Sequence, residues 1–71
     1  MVALRAEVGN KVGIIESHDD GAYFLLFDKS DMTKSEQDYL QDDIEMAKHC
    51  GKDFGIAFEV WVEDPDWENV F

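Results

Sequence analysis

The fold is decided by the stretch at residues 22–27, which reads AYFLLF. The turn signal Asp19-Asp20-Gly21 precedes it, because aspartate favours turns and glycine supplies left-handed backbone conformations. A continuous apolar run bounded by a turn indicates a strand with apolar contacts on both faces. We therefore expect residues 22–27 to form a strand that has a neighbouring strand on each side.

The residues before this stretch predict two further strands. Leu4, Ala6 and Val8 alternate with charged residues, which is the period-2 pattern of a half-buried strand. The dipeptide Gly9-Asn10 predicts a tight hairpin turn, because both residues tolerate positive φ. We expect residues 12–16 to return as the second strand.

The residues after the apolar stretch predict a helix that ends near Gly51. Thr33 and Glu36 have the spacing of a capping box, and Ser35 and Asp38 offer a competing register. Gly51 is placed to end the helix, because glycine is the usual residue just past a helix C-terminus.

The last predicted element is a strand at residues 54–63, where apolar residues alternate. Pro65 ends it, because proline has no N–H to donate to a neighbouring strand. The order β-β-β-α-β predicts an α+β fold, with a four-stranded, mainly antiparallel sheet and one helix packed on one face. A chain of 71 residues without a linker or an internal repeat accommodates a single domain, residues 1–71.

The charge of the chain is strongly negative and unevenly distributed. The 17 acidic and 6 basic residues give a net charge of −11, of which residues 1–35 carry −2 and residues 36–71 carry −9. An excess of carboxylates disfavours direct binding to nucleic acid and to anionic membranes, whose phosphates they repel. The 45% hydrophobic content argues against a disordered chain. We therefore expect a folded acidic domain whose partner is basic.

The predicted helix places several carboxylates close together. At 100° per residue Asp38, Asp42 and Glu45 fall on one line, and like charges at such spacing repel by about 0.2–0.5 kcal/mol per pair. Two interpretations stay open: a solvated face that keeps the protein soluble, or a carboxylate ridge complementary to a basic surface. Asp43 lies between two groups of apolar residues on the surface of this predicted helix. We expect its side chain to point outward into solvent.

The two tryptophans lie among acidic residues in the second half of the chain. Trp61 stands between Glu59 and Glu63, and strand alternation places it on the face away from the helix. Trp67 lies in the acidic tail at residues 64–71. Aromatic residues rimmed by charge are typical of interface hot spots, so both are candidate contact residues.

Each tryptophan also has a structural interpretation. Trp61 can pack against aromatic residues of the strand at 22–27, and Trp67 can fold back with Val70 and Phe71 over the open side of the sheet. The candidate partner-binding residues are the two tryptophans and the carboxylates of the predicted helix, last strand and tail: Glu36, Asp38, Asp42, Asp43, Glu45, Glu59, Trp61, Glu63, Asp64, Asp66 and Trp67.

The sequence shows no pattern that indicates catalysis or a bound metal. His49 and Cys50 are adjacent in the predicted helix, so their side chains diverge by about 100° and do not face each other. His18 stands beside an acidic turn, where polar clusters usually serve the turn itself. Residues 64–68 lack the glycine and the closing glutamate of a calcium loop, and no zinc-binding spacing occurs. We therefore expect no catalytic residue, no metal, no cofactor and no enzymatic activity.

The single cysteine excludes an internal disulfide and fits a reducing compartment. Residues 1–5 lack the basic start and apolar run of a signal peptide, and no apolar run approaches the roughly 20 residues of a membrane span. These features predict a cytoplasmic protein with no membrane partner.

In size and composition the chain resembles small, strongly acidic, single-domain proteins that inhibit nucleic-acid-handling machinery, such as phage-encoded antagonists of restriction and CRISPR systems. The resemblance implies a non-enzymatic inhibitor whose carboxylates stand in for phosphates and bind the basic surface of a nucleic-acid-binding protein. Two alternatives stay open: an immunity protein that neutralises a nuclease toxin, and a small dimerisation or interaction module that uses an apolar sheet face. The expected state is a monomer or a homodimer.

Overall fold

The computed structural model describes residues 2–67 and shows an α+β domain built on a five-stranded antiparallel sheet. The spatial order of the strands is β4-β3-β2-β1-β5, and one helix packs on one face. The elements in chain order are β1 Val2–Val8, β2 Lys11–His18, β3 Gly21–Asp28, β4 Gln37–Gln41, α1 Ile44–Lys52, a 3₁₀ turn at Phe58–Val60, and β5 Val62–Glu63.

The predicted meander of the first three strands is confirmed. Gly9 has φ +57° in the turn between β1 and β2, and Val8 pairs with Lys11 across it. β3 lies between β2 and β4, as the apolar run required. Its side chains alternate between two cores, with Phe24 packed toward the helix and Phe27 packed toward the second face.

The prediction that the helix begins near residue 33 is wrong, because residues 37–41 form the edge strand β4. Gln37 pairs with Leu26 and Gln41 pairs with Ala22, so β4 supplies the second neighbour that β3 needs. The sheet therefore has five strands instead of the expected four. Thr33, expected to cap the helix, instead donates its N–H and hydroxyl to Asp31 Oδ1 in a turn.

The helix is shorter than expected and has different end residues. Asp43 is the N-cap, and its Oδ1 accepts a hydrogen bond from the Met46 N–H at 2.9 Å. Gly51 lies inside the helix and does not end it. A Cβ at Gly51 would lie 3.0 Å from Trp61 Cζ2 and 3.3 Å from Phe24 Cε2, so glycine here permits the helix to approach the core closely.

The long strand expected at residues 54–63 is also absent. Only Val62 and Glu63 pair with β1, and the 3₁₀ turn at Phe58–Val60 breaks the two-residue period. The chain before that turn bends at Gly55, which has φ +84°. Ile56 and Trp61 are thereby both buried between the helix and the sheet, although strict alternation would separate them.

Both faces of the sheet carry a hydrophobic core. The larger core lies under the helix and contains Phe24, Ile56 and Trp61. The second lies on the opposite face and contains Ile14, Phe27 and Trp67. Within residues 2–67 no helix is both long enough and apolar enough to cross a bilayer.

Candidate functional site

Five carboxylates converge at one end of the sheet, which we call the acidic end. The turn between β2 and β3 and the junction between β4 and α1 lie side by side there, because Ala22 pairs with Gln41 next to the turn. A shallow depression of about 350 Å³ lies between them and is lined by His18 and four of these carboxylates. The acidic end comprises Asp19, Asp20, Asp42, Asp43 and Glu45.

The local sequence positions these carboxylates in two ways. Asp19 and Asp20 occupy the tight turn that closes the β2–β3 hairpin, where His18 pairs with Gly21. Asp43 caps the helix, and an anion beside a helix N-terminus is stabilised by the helix dipole. The acidic end is therefore a consequence of two chain reversals placed at the same edge of the fold.

Lys11 and Lys29 lie at the other end of the sheet, and both are paired with carboxylates. Lys11 Nζ lies 2.7 Å from Glu36 Oε1, and Lys29 Nζ lies 2.7 Å from Glu7 Oε1. The bond to Glu36 raises the pKa of Lys11, and the bonds from Lys29 and Arg5 lower the pKa of Glu7. In the part of the chain that the structure describes, no carboxylate of the acidic end takes part in an ion pair.

The predicted helical line of carboxylates does not exist. Asp38 belongs to β4 and lies opposite Leu25, on the face of the sheet that the helix does not cover. Asp42 precedes the N-cap, and Glu45 lies in the first turn of the helix. Asp42, Asp43 and Glu45 still meet at one place, but they do so at a strand–helix junction and not along a helix.

The other predicted contact carboxylates are distributed over the rest of the molecule. Glu36 lies at the opposite end of the sheet beside Lys11, and Asp64 Oδ2 lies 3.8 Å from Arg5 Nη1. Glu63 belongs to β5, at the opposite edge of the sheet from β4. Glu59 and Asp66 are exposed. The structure therefore brings together only part of the predicted set.

Both tryptophans are buried. Trp61 is 7% exposed and packs edge-on against Phe24, with ring centroids 6.2 Å apart. The prediction that it lies on the face away from the helix is wrong, because the 3₁₀ turn shifts the alternation. Trp67 is 2% exposed, packs against Phe27 and donates its Nε1–H to Glu16 Oε2.

Trp67 thus covers the open face of the sheet, as its structural interpretation anticipated. The predicted companions Val70 and Phe71 lie outside the described residues. Both indoles are almost fully buried, so neither offers its ring face to a partner.

Sequence reasoning missed two carboxylates of the acidic end. The pattern Asp19-Asp20-Gly21 indicates only a turn, yet Asp19 lines the same depression as Asp42, and Asp20 follows Asp19 in that turn. The signal that could have located them is the requirement that β3 have a second neighbouring strand. An antiparallel strand after β3 has to end beside the turn that precedes β3.

His18 lies at the end of β2, and Cys50 lies in α1. His18 Nε2 lies 3.3 Å from Glu16 Oε1, and its ring packs edge-on against Tyr23. Burial raises the pKa of the Cys50 thiol, which keeps it protonated at neutral pH and therefore weakly nucleophilic. Among residues 2–67 no group of three or more His, Cys, Asp or Glu side chains is arranged to hold a metal ion.

The edge strand β4 presents apolar side chains on both faces of the sheet. Leu40 is 52% exposed on the face opposite the helix, beside Tyr23 of β3. Tyr39 is 42% exposed on the helix face, and its ring centroid lies 6.1 Å from that of Phe54. An apolar strip therefore borders the acidic end along one edge.

No family model, no curated protein and no solved structure matches this chain.

Proposed function

We propose that this chain is a non-enzymatic binding domain that docks its acidic end onto the basic surface of a nucleic-acid-handling protein and excludes nucleic acid from it. The observation that supports this proposal is the difference in pairing between carboxylates. The five carboxylates of the acidic end, four of which line one depression, form no ion pair among residues 2–67, whereas Lys11 and Lys29 neutralise carboxylates elsewhere.

Electrostatics favours a basic partner for this surface. Clustered like charges repel one another, and a cationic surface relieves that repulsion when it binds. Duplex DNA carries about one negative charge per 1.7 Å of its axis, so a groove that binds DNA is lined by closely spaced cations. The acidic end supplies carboxylates from two adjoining chain reversals, and electrostatic steering accelerates their encounter with such a groove.

The proposed targets are nucleases with basic grooves, including the restriction and CRISPR enzymes that phage-type inhibitors antagonise. A nuclease toxin offers the same kind of surface, in which case the chain acts as an immunity protein. The two target classes use the same physics and are separated by testing members of both.

The test is inhibition of DNA cleavage by a panel of restriction, CRISPR and toxin nucleases, using a fluorescent duplex as substrate. We expect the wild-type chain to inhibit at least one nuclease, with inhibition that weakens as duplex or salt concentration increases. For the variant Asp19→Asn/Asp42→Asn/Glu45→Gln, the concentration that gives half-maximal inhibition should rise at least about tenfold. Three exposed charge contacts are lost in this variant.

A charge-matched variant is the control. Asp53→Asn/Glu59→Gln/Glu63→Gln removes the same charge from exposed positions away from the acidic end and should inhibit like the wild type. Equal loss in both triple variants would show that bulk charge and not the acidic end is responsible. Absence of inhibition across the whole panel would contradict the proposal.

A further inference from the structure

The outer side of β4 is an open sheet edge. Among residues 2–67, β4 is the terminal strand of the sheet and pairs only with β3. The backbone N–H and C=O groups that point away from β3 are therefore available to another extended chain. β4 lies directly before the acidic end, since Gln41 is followed by Asp42 and Asp43.

This edge lacks most of the devices by which proteins protect exposed strands. Residues 37–41 contain no lysine and no proline, and their register with β3 runs without a bulge from Leu26↔Gln37 to Ala22↔Gln41. Asp38 is the one charged residue within the strand. By contrast, the other terminal strand, β5, has two residues and is followed closely by Pro65.

A second copy of this chain is a poor occupant of the edge. In a two-fold antiparallel pair of β4 strands centred on Tyr39, Glu36 faces Asp42. In the register centred on Leu40, Asp38 faces Asp42. Lys11 offsets the charge of Glu36 but leaves Asp38, Asp42 and Asp43 without a cation, and like charges opposite each other destabilise a strand pair.

A basic extended segment fits the same edge. Asp38 and Leu40 share one face of the sheet, and Tyr39 lies on the other. A strand that alternates cationic and apolar residues can place its cations beside Asp38 and its apolar side chains beside Tyr39. Lysine stems can also cover Leu40 while their ammonium groups reach the flanking carboxylates.

We propose that β4 binds an extended basic segment of the partner protein as a sixth strand of the sheet. This proposal rests on the proposed function, because the segment that forms the sixth strand belongs to the same basic partner that binds the acidic end. Backbone hydrogen bonds supply affinity in this mode, and the carboxylates select cationic sequences. At about 3.4 Å per residue, β4 accommodates a segment of five to seven residues.

The test uses a blocked heptapeptide of sequence KVKVKVK and a second peptide that is N-methylated at its three central residues. N-methylation removes backbone donors on both edges of the peptide and keeps every charge. We expect the unmodified peptide to bind at least tenfold more tightly by calorimetry. Hydrogen exchange of the amides at residues 37–41 should slow when it binds.

Two charge-reversal variants locate the binding. Asp38→Lys should weaken binding of the unmodified peptide at least tenfold, whereas Glu63→Lys on β5 makes the same change of charge and should have little effect. Concentration-dependent dimerisation of the chain alone, with protection of residues 37–41, would overturn the inference in favour of a second copy.

Equal binding of the two peptides would also overturn the sixth strand, but it would leave electrostatic docking and the proposed function in place. Failure of both peptides to bind overturns the sixth strand as well. The proposed function is decided separately, by the nuclease panel and its charge-matched variants.

Discussion

Both ends of the sheet carry carboxylates, but only one end has lysines that neutralise them. At the end where β2 begins and β3 ends, Glu7, Asp28 and Glu36 lie within ion-pair distance of Lys11 or Lys29. We call this the paired end. At the acidic end, Asp43 is the one carboxylate that accepts a hydrogen bond within residues 2–67, and it does so as a helix cap.

The difference shows why net charge is a poor guide to a binding surface. A total of −11 describes the chain as a whole, but internal cations neutralise some carboxylates and leave others. The carboxylates that remain without a cation are those that a basic partner can neutralise. If the comparison is right, removing a carboxylate of the paired end or Asp43 should destabilise the fold, whereas removing another carboxylate of the acidic end should not.

The largest expected effect is at Asp43. Asp43→Ala removes the acceptor of the Met46 N–H and should lower the free energy of unfolding by about 1 kcal/mol, within the usual range for a lost helix cap. Asp43→Asn keeps an acceptor at the cap and should cost much less. Urea denaturation of both variants measures the difference.

Asp42→Ala is the matched control, because Asp42 is adjacent to Asp43 and makes no hydrogen bond or ion pair within residues 2–67. It should leave the urea midpoint almost unchanged. A loss as large as that of Asp43→Ala would mean that both residues stabilise the fold, and the contrast between the two ends would disappear.

A smaller effect is expected on acidification of the paired end. Hydrogen bonds from Lys29 and Arg5 lower the pKa of Glu7, and bonds from Ser30 lower the pKa of Asp28. Because these pKa values are lower in the folded state than in the unfolded state, their contribution is present above the ordinary carboxyl pKa. It is lost as the pH falls through the lower folded values.

Lys29→Met tests this dependence. It should lower the urea midpoint at pH 7, where Glu7 is ionised, and the difference from the wild type should shrink as the pH falls and Glu7 becomes protonated. Lys34→Met changes the net charge equally, but Lys34 makes no ion pair within the described chain, so its midpoint should shift less at pH 7. Equal shifts in both variants would indicate a general effect of charge.

The paired end could be anticipated from the sequence to a larger extent than the acidic end. The strands β1 to β3 follow from local patterns, because Gly9-Asn10 and Asp19-Asp20-Gly21 signal turns between apolar segments. Once a hairpin register is set by its turn, the residues at its ends are set as well. The sequence alone does not say which carboxylates Lys11 and Lys29 reach.

The acidic end depends on β4, whose local sequence is ambiguous. Residues 37–41 read QDYLQ, a short segment with no clear strand pattern. Thr33 and Glu36 have capping-box spacing, but Thr33 donates a hydrogen bond to Asp31 and Glu36 accepts one from Lys11. Pairing with β3 overrides the local helical preference, and such a tertiary effect cannot be found from spacing alone.

The misplacement of Trp61 has a similar origin. The alternation at residues 54–63 is real in the sequence, but the 3₁₀ turn at Phe58–Val60 changes the direction of the following side chains. Gly13 and Gly51 leave the space that the indole fills, since a Cβ at Gly13 would lie 2.8 Å from Trp61 Cη2. This complementarity joins residues far apart in the chain and has no local signature.

The smallest expected effect is a slight stabilisation when charge is removed from the acidic end. Asp42 loses no hydrogen bond on replacement by asparagine, while repulsion from Asp43 and Asp19 is relieved. Asp42→Asn should therefore raise the free energy of unfolding by about 0.3 kcal/mol at low salt. Glu45→Gln also relieves repulsion, but it removes a favourable charge from the first turn of the helix, so its net effect should be close to zero.

Salt separates these electrostatic effects from packing. At 1 M salt the Debye length is about 3 Å, so the gain from Asp42→Asn should vanish there. The sign of the change at low salt decides the comparison between the two ends. A loss of stability on Asp42→Asn would mean that the fold itself holds this carboxylate, and the acidic end would then be a second paired end rather than a surface left for a basic partner.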